Sequence, residues 1–298
     1  MNDSPELTIV VPTNEGWPAF APRLVALNAT AARVQAELIV VDGSGCPAPA
    51  QAEIGPRTRW LSQPGASVFQ LRLHGYRMAR GRVIAATEDH CEVPIEWAET
   101  IVKAHREWPQ AAVVGGVVDN GAEACLLDRA NFYVNSIALA GPMRRGLTRS
   151  AVSHANVSYK RQALNDMNDH QGLGMADFVH LGRLRRNGAL IYSDDRIRIV
   201  HVQSLSPAQT TAGQFHAGRC VSAFRRQQMG LVRWLQILGC FAIPIVRLVR
   251  VTRIGLARPY RRHVVASIPW MAWLLCAQAA GSLAGYVAGP GDSPMKVA

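Results

Sequence analysis

Glu37-Leu38-Ile39-Val40-Val41-Asp42-Gly43-Ser44-Gly45 is the stretch on which the fold turns. Its apolar residues follow one another without the alternation of a half-exposed strand, and the run breaks at a turn-forming Asp-Gly-Ser-Gly. That pattern is a strand buried on both faces. Toward the N-terminus, Pro22–Val34 carries apolar residues at helical spacing, and Leu7–Val11 is another β-branched run that ends at Pro12. Strand, helix, strand with a polar loop after each strand is the repeating unit of a parallel sheet flanked by helices. Toward the C-terminus the reading gives a short strand at Trp60–Leu61, a helix over Val68–Ala79 closed by Gly81, and a strand at Val83–Ala86. A helix over Ile95–Trp108 and a strand-like run at Ala111–Val118 follow. Ligands of such sheets bind at the carboxyl ends of the strands. This rule gathers Pro12, Thr13 and Glu15, then Asp42–Gly45, then Glu88–His90, around one crevice.

Charge divides the chain in two. Residues 1–195 hold 19 Lys and Arg against 20 Asp and Glu, whereas residues 196–298 hold 13 against 1. A basic excess points to nucleic acid or to an anionic membrane. Here the arginines flank apolar runs and are not interleaved with aromatics able to stack on bases, so a membrane surface is expected and no nucleic acid. The six cysteines are scattered, with neither CxxC pairs nor zinc-type spacing, as in a reducing compartment. Polar MNDSPE leads straight into the first strand with no signal-peptide pattern. The expected location is the cytoplasmic membrane, with a catalytic domain over residues 1–205 facing the cytoplasm and a basic, membrane-associating helical tail over 206–298.

The crevice has the chemistry of a diphosphate site. Asp42, at a strand end, can accept from a base or ribose, or can simply form a turn. In Val83-Ile84-Ala85-Ala86-Thr87-Glu88-Asp89-His90 an apolar strand runs directly into two carboxylates and an imidazole. Such groups can hold a divalent cation against a pyrophosphate, or form a solvated acidic loop.

Taken in order, these motifs resemble the family 2 glycosyltransferases of GT-A fold. Thr8–Asn14, Leu38–Ser44 and Glu88-Asp89-His90 resemble the family's opening motifs. Gly65-Ala66-Ser67, Arg72, Gly75, Ala79 and Gly81 resemble its Arg-Asn-x-Gly to Ala-x-Gly stretch. His154–Arg161 and Met175–Gly188 resemble its two later blocks. The resemblance covers about residues 7–203. It implies an α/β GT-A fold, a Rossmann-like mixed sheet flanked by helices, followed here by C-terminal hydrophobic membrane-associated helices. It also implies an inverting, metal-assisted transfer of a sugar from a nucleoside diphosphate sugar. By that alignment Pro12, Thr13, Glu15, Asp42, Arg72, Glu88 and Asp89 bind the donor. His90 and Glu88 hold a divalent cation, Mg2+ or Mn2+, and Asp177 is the general base. Asn156 is a contact on the acceptor side. His201, after the strand-like run Ile197–Val200, is either structural or a further ligand to the cation.

The chain departs from the family pattern in three places. Glu-x-His stands where Asp-x-Asp is usual, Ala176 precedes Asp177 where Glu is usual, and Gly230 stands three residues before Arg233-Trp234 in place of Gln. The last departure implies a non-processive enzyme. Asp194-Asp195 reads as a turn after Ile191-Tyr192-Ser193. The acceptor implied by the tail is a lipid or a lipid-linked glycan; alternatives are a polyprenyl-phosphate sugar synthase and a non-catalytic membrane adaptor that keeps the fold.

Within the tail, Val264–Gly291 holds 28 residues without a charge, with Gly281, Gly285 and Gly289 at every fourth position. That length suffices for a hydrocarbon core of roughly 30 Å. The apolar run Trp234–Val246 is shorter and contains Pro244, which suits an in-plane helix better. If both segments crossed, the arginines between them would lie outside, against the positive-inside rule. The expectation is one in-plane amphipathic segment, then one hydrophobic helix that crosses or lies in the leaflet, with anionic lipids as partners.

Overall fold

β1 (Leu7–Thr13) and β2 (Glu37–Asp42) pair in parallel, and every residue of both strands is buried. Helix α1 (Ala21–Arg33) makes the crossover between them. The chain continues through α2 (Gln51–Ile54), β3 (Thr58–Ser62), α3 (Val68–Met78), β4 (Val83–Ala86), β5 (Cys91–Glu92), α4 (Trp97–Glu107) and β6 (Val113–Asn120). Next come α5 (Leu126–Ser136), β7 (Gly146–Leu147), β8 (Val157–Lys160), α6 (Arg161–Leu164), α7 (Asp177–Arg186) and β9 (Ile191–His201). The last helices are α8 (Pro207–Arg226), α9 (Val232–Leu256), α10 (Arg261–Ala266) and α11 (Ile268–Ala288). This computed structural model describes residues 4–150, 152–165, 167, 174, 177–226 and 232–297, without the side chains of 232–234. Met175, Ala176 and Gly230 lie outside the described residues, as do the side chains of Arg233 and Trp234.

The chain forms two compact units, Met1–Asp119 with Leu139–His201, and Asn120–Ala138 with Val202–Ala298. In the first, the strand order is β3-β2-β1-β4-β8-β6-β9-β5, with β7 on β9. Strands β3, β2, β1 and β4 are parallel, while β8 runs antiparallel to both β4 and β6. The result is the expected mixed sheet flanked by helices. Its centre is held by side chains such as Ile9, Val10, Leu38, Ile39 and Ile84, all essentially inaccessible to solvent. Each is worth about 1.5–3 kcal/mol when fully buried. Helix α3 starts at a reciprocal cap, in which Ser67 Oγ accepts from Gln70 N at 3.3 Å and Gln70 Oε1 accepts from Ser67 N at 2.8 Å. It lies close on β1 and β2 because Gly75 has no Cβ; one there would meet Val10 Cγ1, and Val41 Cγ2 at 3.2 Å.

Strand β9 corrects one expectation. Asp194-Asp195 is not a turn but lies inside an unbroken strand of 11 residues. Ser193 and Asp194 are both buried, so the strand's in–out alternation slips there. Asp194 tolerates burial because Arg196 clamps it through Nε at 3.0 Å and Nη2 at 2.6 Å.

The second unit is helical. Helix α9 runs through Pro244 and past Arg247 to Leu256, well beyond the 13-residue segment read from sequence. Proline removes one backbone donor, and the rest of a 25-residue helix outweighs that loss. The uncharged run Val264–Gly291 divides at Ser267, whose hydroxyl donates to His263 O at 2.8 Å. Helix α11 packs along α8 at Gly281 and Gly285, where a Cβ would strike the carbonyls of Phe215 and Arg219. Gly289 is the cap residue beyond α11, with φ of 80°. Leu235–Leu256 and Ile268–Ala288 are each long and apolar enough to cross a membrane.

Candidate functional site

Parallel pairing brings the carboxyl ends of β1, β2 and β4 to one edge. Thr13 lies beside Asp42 in register, and Thr87 N donates to Val10 O at 3.2 Å. Pro12 lies within the buried strand β1, in register with Val41, and Thr13 Oγ1 accepts from Glu15 N at 3.1 Å. Asp42 is fully buried; its Oδ1 accepts from Ser44 N at 2.8 Å, while Oδ2 has no hydrogen bond among the described residues. Asp89 ties the loops together, with Oδ2 accepting from Asn14 N at 3.4 Å and its carbonyl from Arg23 Nε at 3.2 Å. Burial first, and then the Asp89 charge, raises the Glu15 carboxyl above its ordinary pKa.

Glu88 is the hub of the acidic loop. Its Oε1 is 3.0 Å from Arg72 Nη2 and 3.1 Å from His154 Nε2, and its Oε2 is 3.2 Å from His90 Nε2. Burial disfavours its charge, yet His154 and then His90 hold it well below the usual carboxylate range. His90 also lies 2.8 Å from Asp89 Oδ1. Burial opposes its protonation, but the bonds to Asp89 and Glu88 prevail and raise it to about 10. His201 is delivered by the antiparallel pairing of β9 with β5, which sets it opposite Cys91. Its ring stands 4.5 Å from that of His90, centroid to centroid. Burial, reinforced by the His90 charge, lowers His201 to about 4.

Glu88, His90 and His201 each offer a ligand atom, and the three atoms lie within 4.8 Å of one another. Ligand atoms at about 2.0–2.2 Å from one ion fall inside that span, so the donor set fits a divalent cation. One carboxylate and two imidazoles suit Mn2+ or Zn2+ better than Mg2+, which prefers oxygen.

Behind Glu88 lies a buried charge network. Arg72 Nη1 donates to Asp177 Oδ2 at 2.7 Å, and Asp177 Oδ1 accepts from Tyr159 Oη at 3.2 Å and Tyr76 Oη at 3.4 Å. Burial works against the Arg72 charge, but Asp177 and Glu88 raise its pKa above the ordinary value. Burial and then Asp177 push both tyrosines well up, so they act as donors.

Asn156 is buried. Its Oδ1 accepts from Trp97 Nε1 at 2.9 Å, and its Nδ2 donates to Val117 O at 2.8 Å and Ile197 O at 3.0 Å. These bonds strap β6 to β9. Sequence reasoning passed over His154, Tyr76 and Tyr159. For His154 a signal existed: β8 pairs antiparallel with β4, Val157 facing Ala86, so residues before β8 fall beside those after β4. A cavity of about 540 Å³ lies nearby, lined by Gln63 to Ala66 of the loop after β3 and by Gln70, His74 and Arg77 of α3. Gln63 N donates to Asp42 O at 2.7 Å, so this loop adjoins the end of β2.

No family model matches the chain, and no curated protein sequence does. Solved structures do. The mannosyltransferase PcManGT from Pyrobaculum calidifontis, in complex with GDP-Man and Mn2+, is 16% identical with a TM-score of 0.54 over 94% of this chain and 87% of that one. TarS from S. aureus is 13% identical with a TM-score of 0.50 over 90% of this chain and 54% of that one. At these identities the likeness establishes the fold: a mixed α/β sheet of the glycosyltransferase type.

Proposed function

We propose that the protein is a glycosyltransferase that moves a sugar from a nucleoside diphosphate to an acceptor at the cytoplasmic face of a membrane. The observation that carries this reading is the gathering of Asp42, Glu88, His90 and His201 at the carboxyl edge of a glycosyltransferase-type sheet. Fold likeness alone would leave the function open.

In this reading the nucleoside lies against Asp42, whose buried Oδ2 is turned to it, and against the adjoining cavity. Pro12, Thr13, Glu15 and Asp89 shape the donor's side of the crevice. Glu88, His90 and His201 would hold a divalent cation, which neutralises charge developing on the leaving diphosphate. PcManGT, of the same fold, was solved with a nucleotide sugar and Mn2+, which supports the choice of donor and ion.

Asp177 is the proposed base, acting on the acceptor hydroxyl as it attacks the anomeric carbon from the opposite side, with inversion. Its carboxylate is bonded to Arg72 and two tyrosines, so one of these contacts gives way before it takes a proton. An incoming diphosphate supplies the competitor, since it can draw the Arg72 guanidinium from Asp177. Arg72 thereby couples donor arrival to the exposure of the base. Single addition to a lipid or lipid-linked glycan fits the basic, apolar second unit.

The test is donor hydrolysis and transfer by the purified full chain across a panel of nucleotide sugars, with Mn2+ or with chelator. Turnover of at least one donor is expected. A chain that neither binds nor hydrolyses any nucleotide sugar with either treatment is not a glycosyltransferase.

A further inference from the structure

One side of α9 is uncovered in the second unit. Leu235, Leu238, Phe241, Ile245 and Val246 are 68, 67, 72, 68 and 63% exposed. Leu235, Leu238, Phe241 and Ile245 follow at spacings of three and four residues with Val246 beside them, which sets them along one stripe, while Cys240, Val251 and Gly255 are buried on the other side. At about 100° per residue, Arg253 falls in line with Leu235, and Arg250 lies beside it. Both arginines are exposed, so they border the apolar stripe at its C-terminal end. Arg247 is partly buried there, its Nη2 donating to Val134 O at 2.9 Å. Burial, and then the charges of Arg250 and Arg225, pull its pKa below the ordinary value, which marks a crowd of cations. From Val202 onward the sequence has a single acid, Asp292, and that is bonded to Lys296 at 2.6 Å.

We propose that this face of α9 lies flat in the headgroup layer of an anionic bilayer, with the apolar stripe inserted and Arg250 and Arg253 on lipid phosphates. Neither α9 nor α11 crosses. The inference deepens the membrane part of the function proposed above and rests on it. Helix α11, which carries no charged residue, is engaged along its length by α8. Beyond the glycine contacts, Gln278 Nε2 donates to Gln214 Oε1 at 3.1 Å, Trp273 Nε1 to Thr211 Oγ1 at 3.0 Å, and Arg219 Nε to Gly289 O at 2.9 Å. A crossing α11 would carry α8 with it, placing Gln214 beside Gln278 at mid-helix in hydrocarbon, where polar side chains are expensive to bury. In α9 the uncharged residues 234–246 span only about 20 Å of a core of roughly 30 Å. The occupant is lipid and not a protein partner, because the charges that border the stripe among the described residues are cations and the sequence from Val202 onward holds a single acid.

The test floats the full chain with phosphatidylcholine vesicles, with and without about one-third phosphatidylglycerol. Binding to the anionic vesicles is expected. Phe241→Glu should weaken it by about 10-fold or more, and Arg250→Ser with Arg253→Ser by about 30-fold. Val25→Glu, at an equally exposed apolar position (71%) in the first unit, should leave it unchanged. Melting curves establish that each variant is folded; if Phe241→Glu is not, Ile245→Gln replaces it. The proposal is overturned by unchanged flotation of a folded stripe variant, or by equal binding to neutral and anionic vesicles. It is also overturned by a dimer that depends on Phe241 while vesicle binding does not, or by labelling of the two ends of α11 from opposite sides of the bilayer. Flotation needs neither donor nor acceptor. A chain that floats as expected but transfers no sugar overturns the enzymatic reading alone, and one that transfers sugar but cannot float overturns only this one.

Discussion

The guanidinium of Arg72 donates to the carboxylate of Asp177 at 2.7 Å, joining α3 to α7 across 105 residues. Its other arm reaches Glu88 at 3.0 Å, so one buried cation balances two acidic groups of the site. Removing it leaves Asp177 without its counter-charge in a dry environment, and leaves Glu88 to His154 and His90 alone. Arg72→Met should therefore lower stability by about 3–5 kcal/mol, read from urea unfolding. Arg33→Met, which breaks a more exposed pair with Glu99, should change it little. Similar midpoints for the two variants would mean that the Arg72 network does not hold the site together.

Asp177→Asn separates two roles for that residue. As a base it acts only on the acceptor, so the variant should bind donor within about 3-fold of the parent and lose about 10²-fold or more in turnover. Asn keeps one acceptor oxygen for Arg72, and its NH2 then faces the tyrosine hydroxyls, which can turn to accept. Near-parental transfer with a competent acceptor would move the base elsewhere. Asp194 is a poor replacement, since Arg196 and the strand already engage it.

The candidate cation site offers a paired test. Because Glu88, His90 and His201 share one cluster, His90→Ala and His201→Ala should each weaken Mn2+-dependent donor binding by about 10–100-fold, with calorimetry as the readout. Loss in one variant but not the other reduces the site to two ligands. Donor affinity that is the same in chelator as in Mn2+ removes the ion from the reading altogether.

Acid should unfold the first unit through its histidines. His105 is buried against Ser158 at 2.9 Å, and burial lowers its pKa from 6.5 to about 4. The folded chain keeps it neutral while the unfolded chain takes up a proton below about 6.5, so stability falls as pH drops through that window. The contribution is about 3 kcal/mol by pH 4. His105→Gln, followed by urea melts between pH 7 and pH 4, should show a shallower acid slope than the parent. An identical slope would assign acid sensitivity to other groups, Glu88 first among them.

How much of this was legible depends on the reach of each signal. β1, β2 and β4 are buried on both faces, and burial of that kind writes itself as an unbroken apolar run. Once those strands are read as parallel, Asp42 and Glu88–His90 must share an edge. The Arg72–Asp177 bond has no such signature, because nothing local links residues 105 apart. β9 was read short because Asp194 is buried by an ion pair with Arg196 and not by apolar character, which breaks the alternation. The segment Trp234–Val246 was bounded by the charge of Arg247, yet α9 continues past it to Leu256. The glycines of α11 announced a close partner, but the polar composition of α8 gave no hint that it was that partner.

The order of the chain through its two units has a practical side. Residues 120–138 leave the first unit, contribute α5 to the second, and return, so the backbone passes between the units at 119/120, 138/139 and 201/202. A stop codon after His201 therefore does not liberate the first unit. It leaves α5 without α11 and α9, with Leu127, Ala130, Tyr133 and Val134 stripped of cover, and such a fragment should aggregate. Cutting from Val264 onward removes α11 from the middle of a folded bundle, so loss of membrane binding in that fragment would report unfolding as readily as a missing anchor. A soluble fragment that keeps the candidate site calls for two edits made together: termination after His201, and replacement of 120–138 by a short loop from Asp119 to Leu139.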